Sequence, residues 1–311
     1  MKTILTDKKP LSAMTLGTVQ LGMNYGIAND LGKPDEEKSF SMLRCALLGG
    51  VTALDTARTY GDSEDVIGRF LKTWEGDTPY IATKIRKIPD GTTDITSHVL
   101  SSIETSLEKL GVNKVETVML HSPLDIMQYG PKAASAMEEI LRRGYAERIG
   151  VSVYLREEIE EMIKYPSFSV TQVPMSIFDQ RLISSGTVKK LKERNYTVFV
   201  RSVFLQGLFF LDPDKMTDPI LVKEAAPYNR LIREIAEAEG MTVAELAIAF
   251  MRDTLGVTSL VLGADTPEQV KENISYFETA SLKEETLKMI EEKFARVDIP
   301  EIMKVLTRPK T

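Results

Sequence analysis

The stretch SHVLSSIETSLEKLGVNKVETVMLH, residues 97–121, contains one complete helix-to-strand passage, and its pattern decides how the rest of the chain reads. Leu100, Ile103, Leu107 and Leu110 recur at intervals of three and four, one apolar stripe along a helix. Gly111 then ends the helix, glycine being the residue that most readily takes a left-handed backbone. Residues 115–121 follow as a short run, apolar on successive positions and rich in β-branched side chains. Strands covered on both faces have that pattern.

Working outward, the same passage recurs along the chain. Further short apolar runs occupy residues 14–22, 52–56, 80–85, 148–153, 170–176, 197–202 and 259–263, which makes eight in all. Helical patterns at residues 36–49, 63–74, 97–110, 134–143, 157–164 and 185–194 separate them. The seventh interval is the longest and holds two, at 228–238 and 243–252. Residues 267–277 close the eighth unit and 282–294 form an extra C-terminal helix. Eight strand–helix units in order predict an α/β fold, a closed (β/α)8 TIM barrel, as one domain over residues 1–311. The residues before Met14 are expected as a hairpin or coil across the barrel bottom. The runner-up, a doubly wound sheet, lacks its glycine-rich turn. The nearest candidate, GTVQLG at residues 17–22, has the wrong spacing.

Composition narrows the function. A net charge of −6 over 311 residues argues against a nucleic-acid surface, and the basic spots at residues 84–87 and 189–192 are short. Cys45 is the single cysteine, set in an apolar run that reads as buried, so no intrachain disulfide can form. A reducing, cytoplasmic setting is expected. The first residues carry no apolar stretch of secretory type, and no run of about 18 apolar residues suggests a membrane partner. With two histidines and one cysteine, a His- or Cys-rich metal site cannot be built, and no metal is expected.

In barrels of this kind, chemistry gathers at the C-terminal strand ends. The second run ends at Asp55 with Tyr60 in the loop beyond, the third at Lys84, the fourth at His121. A carboxylate, a phenol, an amine and an imidazole on one rim suit proton donation to a carbonyl oxygen. A phenol titrates near ~10, too high to donate well at neutral pH. Lys84 beside it would lower that value, Asp55 would hold Lys84 charged, and His121 would position the substrate oxygen. No nucleophile has an adjacent base, so acyl and phosphoryl transfer are not indicated. His98, at a helix start, reads as exposed and inert.

These residues resemble the aldo-keto reductase superfamily over about residues 14–277. The segment LDTARTYG at 54–61 followed by Glu64, Ile67 and Gly68 resembles that family's first signature, and LEKLG at 107–111 with VMLHSP at 118–123 its second. Gly144 followed by RIGVS at 148–152 resembles its entry to the fifth strand. The resemblance implies a catalytic tetrad of Asp55, Tyr60, Lys84 and His121, hydride exchange with NADP or NAD, and a small carbonyl or alcohol substrate. It further implies cofactor contacts from Thr18, Asp55, Ser152, Gln172, Arg201, Ser202, Leu205, Gly207, Gly263, Ala264, Thr266, Gln269 and Asn273. Ser152 and Gln172 would hold the carboxamide, Ser202, Leu205 and Gly207 the pyrophosphate, and the last five the adenosine. The segment TPEQ at 266–269 independently reads as a capped helix start that offers N–H groups to an anion.

Three departures modify that expectation. Val153 stands where the family often has Asn, and Arg201 where it often stacks an aromatic ring on the nicotinamide; Arg201 could instead face substrate. Gly263 and Gln269, with Asp265 alongside, replace the basic clamp on the 2′-phosphate, which weakens the preference for NADP and opens a switch to NAD, with Lys271 a candidate rescue from the next turn. Substrate contacts are expected from Tyr25, Tyr60 and His121, with loops at residues 24–33 and 208–228. Phe204, Phe209 and Phe210 suggest an apolar wall, and Asp212 and Asp214 cap a turn. Two alternatives to a sugar-like or small-carbonyl reductase stand: a cofactor-sensing regulatory barrel, and a metal-assisted lyase or isomerase, for which Asp55 is the only predicted strand-end acid. Oligomeric state is not derivable.

Overall fold

The helix of the quoted segment forms as Ile95–Leu110, where the Asp94 side chain accepts from Ser97 N and Gly111 ends it at φ 67°. The run after it becomes the strand Val115–Leu120, buried at every position. The computed structural model describes residues 3–6, 9–26 and 32–308. Ten strands follow in chain order: β1 (Thr3–Thr6), β2 (Lys9–Ser12), β3 (Met14–Gly17), β4 (Ala53–Asp55), β5 (Tyr80–Ile85), β6 (Val115–Leu120), β7 (Ala146–Ser152), β8 (Phe168–Pro174), β9 (Thr197–Arg201) and β10 (Ser259–Leu262). Strands β3 to β10 close into a barrel in which every neighbour is parallel, and Leu260 opposite Met14 completes the ring. This is the (β/α)8 barrel expected from the sequence.

Two apolar clusters explain why each strand is buried on both faces. The larger lies between strands and helices. The smaller joins Ala53, Tyr80, Ala82, Met119, Val170 and Phe199, alternate-position side chains that fill the barrel, with Leu11 among them. Leu11 belongs to the antiparallel β1–β2 hairpin, so the hairpin closes the end opposite the strand C-termini. Inside the barrel, the Tyr80 hydroxyl lies 2.5 Å from Thr117 Oγ1, which satisfies a polar pair that water does not reach.

Several boundaries differ from the sequence expectation. The first run stops as a strand at Gly17; Thr18 N then donates to Asp55 O at 3.0 Å, and Val19–Gly22 makes a single helical turn. In place of one helix over residues 185–194 the chain forms two short ones, Arg181–Ser184 and Thr187–Glu193, broken at Gly186 with φ 70°. Short helices Pro123–Tyr129 and Pro219–Glu224 were too brief for periodicity to mark, and Pro opens each. The C-terminus carries two extra helices, Glu284–Phe294 and Ile299–Leu306, where one was expected. Asp298 caps the second, which buries Ile299, Ile302 and Leu306. Cys45 is half-buried instead of buried, its Sγ 3.5 Å from Pro267 O. His98 is half-buried, with a ring nitrogen 3.4 Å from Arg86 O. Among the described residues no helix is long and apolar enough to cross a membrane.

Candidate active site

The four residues drawn from separate strand ends meet on one rim. Asp55 ends β4 and Lys84 lies in β5, and Lys84 is fully buried. Lys84 Nζ reaches Asp55 Oδ1 at 2.7 Å, Oδ2 at 2.8 Å and Thr56 O at 3.0 Å. These are the three short contacts of the ammonium. The Tyr60 hydroxyl lies at the outer limit of the same group, 3.5 Å away. Gln172, from β8, donates its Nε2 to Asp55 Oδ1 at 2.8 Å, so the carboxylate is held from two sides of the barrel. A carboxylate so occupied by an ammonium and an amide is a poor metal ligand.

Glycine packing places Tyr60. A Cβ on Gly22 would lie 1.7 Å from Tyr60 O, and one on Gly61, whose φ is +55°, would lie 2.1 Å from Gly22 O. The two loops therefore approach at a distance that only glycine allows. Ser63 Oγ locks the contact, its one proton shared between Thr18 O at 2.9 Å and Thr18 Oγ1 at 2.8 Å. Thr18 in turn donates its hydroxyl to Asp55 O at 2.8 Å. Beneath, the buried pair Arg58–Glu64 at 2.6 Å and the Thr83 hydroxyl on Glu64 Oε1 at 2.8 Å fix the motif from below.

Burial dominates the electrostatics of the site. Burial pushes the Tyr60 phenol well above its usual value, the Asp55 charge adds to the rise, and Arg201 opposes it. Asp55, bound to the Lys84 ammonium, works against any lowering of the phenol by that ammonium. Burial also depresses Lys84 itself, and Asp55 counteracts that. His121, just beyond β6, is held down to about 3 by burial and by the Lys84 and Arg201 charges, so the imidazole is neutral. Its Nδ1 lies 2.9 Å from Thr59 Oγ1, and its ring meets Tyr60 edge-on at 5.6 Å.

From these residues a cleft of about 680 Å³ runs across the barrel mouth. Of the expected cofactor residues, Thr18, Asp55, Ser152, Gln172, Arg201, Ser202, Gly207, Gly263, Gln269 and Asn273 line it, and Tyr25 stands at its edge. Leu205 and Ala264 do not, being packed in the core, and Thr266 spends its hydroxyl capping Gln269 N at 3.2 Å. Lys271, the candidate phosphate clamp, lines a separate cavity with Arg44 and Cys45. Phe209 is core, whereas Phe204 and Phe210 border the cleft with centroids 5.1 Å apart. Asp212 caps its turn as expected, and Asp214 pairs with Arg230 at 2.6 Å. Residues 27–31 of the expected substrate loop lie outside the described residues.

Sequence reasoning missed Tyr154, Thr59, Gln20 and Glu272. Tyr154 follows β7 by two residues, and carrying the strand-end search past the fourth strand would have found it. Its ring lies under the Arg201 guanidinium, 4.3 Å from Cζ to centroid. Gln20 fills the space over Gly263, where a Cβ would come within 2.3 Å of Gln20 Nε2, and its Oε1 is buried without a partner among the described residues. Ser202, Leu205 and Gln206 hold positive φ values of 64°, 46° and 56° in the loop after β9, strain of the kind that gathers at binding sites.

A parallel barrel carries a tyrosine, a lysine, an aspartate and a histidine together on its C-terminal rim. The chain belongs to the aldo/keto reductase family, whose model it matches over residues 13–295. It is 25% identical to L-glyceraldehyde 3-phosphate reductase of Escherichia coli O157:H7, over 91% of this chain and 90% of that one. It is 27% identical to a putative voltage-gated potassium channel subunit beta of Schizosaccharomyces pombe, over 83% and 84%. The fold superimposes on an aldo-keto reductase of Bacillus halodurans solved in its holo form with a TM-score of 0.77, at 22% identity, covering 96% and 98%. Family membership makes the chain a nicotinamide-dependent oxidoreductase acting on carbonyl and alcohol groups.

Proposed function

We propose that this barrel reduces a small or sugar-like aldehyde or ketone, with Tyr60 delivering the proton to the carbonyl oxygen. The observation that carries the reading is the Lys84–Asp55 pair seated against the Tyr60 hydroxyl, with neutral His121 beside it. A phenol raised by burial stays protonated at neutral pH, so its proton is in place to be transferred as charge develops on the carbonyl oxygen. We assign the Thr59 hydroxyl as donor to His121 Nδ1, which leaves the imidazole proton on Nε2 to hold the substrate oxygen. The bound dinucleotide supplies the hydride.

The residues fit such a group. Ser152 and the free oxygen of Gln172 suit a carboxamide, and the loop of Ser202 and Gly207 suits a pyrophosphate. The buried, unpartnered Gln20 Oε1 over Gly263 suits a hydroxyl or amine of the far nucleoside. Asp265 and Glu272 line that far end, and no Lys or Arg among the described residues does. Two carboxylates repel a 2′-phosphate, so NAD is the proposed partner. Assayed at equal concentration, NADH should serve at least as well as NADPH; a hundredfold advantage for NADPH would sink this assignment.

Tyr60→Phe tests the chemistry. Turnover should fall by about 10²–10⁴-fold, the span of general acid catalysis, while dinucleotide binding by fluorescence stays unchanged. The potassium-channel-beta relative favours a second reading, a cofactor-sensing barrel. Under it the Phe variant would retain the wild type's low turnover.

A further inference from the structure

Counting charge at the catalytic end of the cleft leaves one ion unanswered. Asp55 and Lys84 neutralise each other at 2.7 Å, and His121 and Tyr60 are uncharged at neutral pH. Arg58 is paired with Glu64. Arg201, at the end of β9, is the one cation among the described residues that lines the cleft. It has no carboxylate within ion-pair distance among those residues. Its polar contacts are Ser202 Oγ and Val153 O, both at the 3.5 Å limit. A guanidinium carries five N–H donors, so most of the fork is uncommitted.

The side chain is nevertheless held in place. The Tyr154 ring backs one face of the guanidinium at 4.3 Å. Because Val153 and Tyr154 follow β7 and Arg201 ends β9, the group reaches across the mouth of the intervening β8, whose Gln172 holds Asp55. It therefore sits over the same floor as the reacting groups. Its charge acts on Tyr60, His121 and Tyr25 alike. A fixed, half-buried, unpaired guanidinium facing a cleft is a receptor for a planar or tetrahedral oxyanion.

We infer that Arg201 binds an anionic group on the substrate, so that the preferred carbonyl compounds carry a carboxylate or phosphate. The inference rests on the carbonyl-reductase reading above and deepens it. It gives this chain a selectivity that an aromatic side chain at the same position could not provide.

The experiment compares matched probes on the full-length protein with saturating NADH. One arm sets 4-carboxybenzaldehyde against 4-formylbenzamide, and the other sets glyceraldehyde 3-phosphate against glyceraldehyde. Wild type should favour the anionic member of at least one pair by about tenfold to a hundredfold in kcat/KM, the range of one charge-assisted pair. The arm that responds identifies carboxylate or phosphate. Arg201→Gln should abolish that ratio and Arg201→Lys should restore part of it, with the change mainly in KM. Taking ratios within a pair cancels any effect of Arg201 on the Tyr60 proton, which touches both members equally. The NADH dissociation constant of each variant is measured by fluorescence. Turnover without charge preference in wild type overturns the inference and leaves the reductase reading standing. A ratio unchanged in Arg201→Gln together with weakened NADH binding overturns it in favour of a cofactor contact. No turnover of any probe with either cofactor overturns both.

Discussion

Replacing Lys84 by Met, Asp55 by Asn, and both together isolates the charge pair at the heart of the site. Lys84 is fully buried, with Asp55 Oδ1, Asp55 Oδ2 and Thr56 O at 2.7, 2.8 and 3.0 Å from its Nζ. Methionine keeps most of the stem volume and removes the charge, so Lys84→Met strands Asp55 with the Gln172 amide as its remaining side-chain donor. Removing one partner of a buried pair costs about 3–5 kcal/mol. An unfolding entropy of about 2.1 cal/mol/K per residue gives roughly 0.65 kcal/mol/K for a chain of this length, so Tm should fall by about 5–8 °C. Asp55→Asn should cost less, because burial already depresses the Lys84 ammonium and a stranded lysine can shed its proton. The double variant has no charge left to strand and should melt above Lys84→Met. Thermal melts of the four proteins at pH 7, followed by circular dichroism, read this directly. Additive losses, with the double variant lowest, would refute the claim that the pair is buried and mutually neutralising.

Two further outcomes concern pH. The kcat/KM for carbonyl reduction should be flat from pH 5 to 8, since the phenol stays protonated and His121 sits near 3, below its usual 6.5. An inflection near 6.5 that vanishes in His121→Asn would contradict it. The same depressed value means that His121 contributes stability above pH 6.5 that is lost as pH falls toward 3. Asp125 behaves with the opposite sign: burial raises it to about 6, and its Oδ2 has no partner among the described residues. A folded pKa above the unfolded one costs stability as pH rises from about 4 through 6. Asp125→Asn should therefore raise Tm at pH 8 and leave it nearly unchanged at pH 4; equal shifts at both would exclude ionisation as the cause.

The four rim residues of the candidate site were legible because two local rules locate them. Periodicity marks each strand, and the barrel puts chemistry at strand C-termini, so Asp55, Lys84 and His121 followed from counting, and Tyr60 from the loop beyond Asp55. The cleft across the barrel mouth was legible only in part. Gln269 and Asn273 face it as helical spacing allows, but Leu205 turned into the core through the positive-φ turn at residues 202–207, which no periodicity announces. Lys271 failed for a plain reason: its side of the helix Pro267–Ser275 faces the helix Glu36–Leu48 across a second cavity.

Sequence alone determined the eight units, their order, and which ionisable residues stand at the rim, because these depend on side-chain period and on neighbours a few positions away. The tertiary structure decided what those groups are worth. Whether Lys84 lowers the Tyr60 phenol depends on a carboxylate 29 positions away chelating the ammonium. Whether Arg201 is committed depends on which side chains reach it, and the tyrosine beneath it comes from two strands back in the barrel. Charge, burial and pairing are set by distances in space, and closing the ring is what sets those distances.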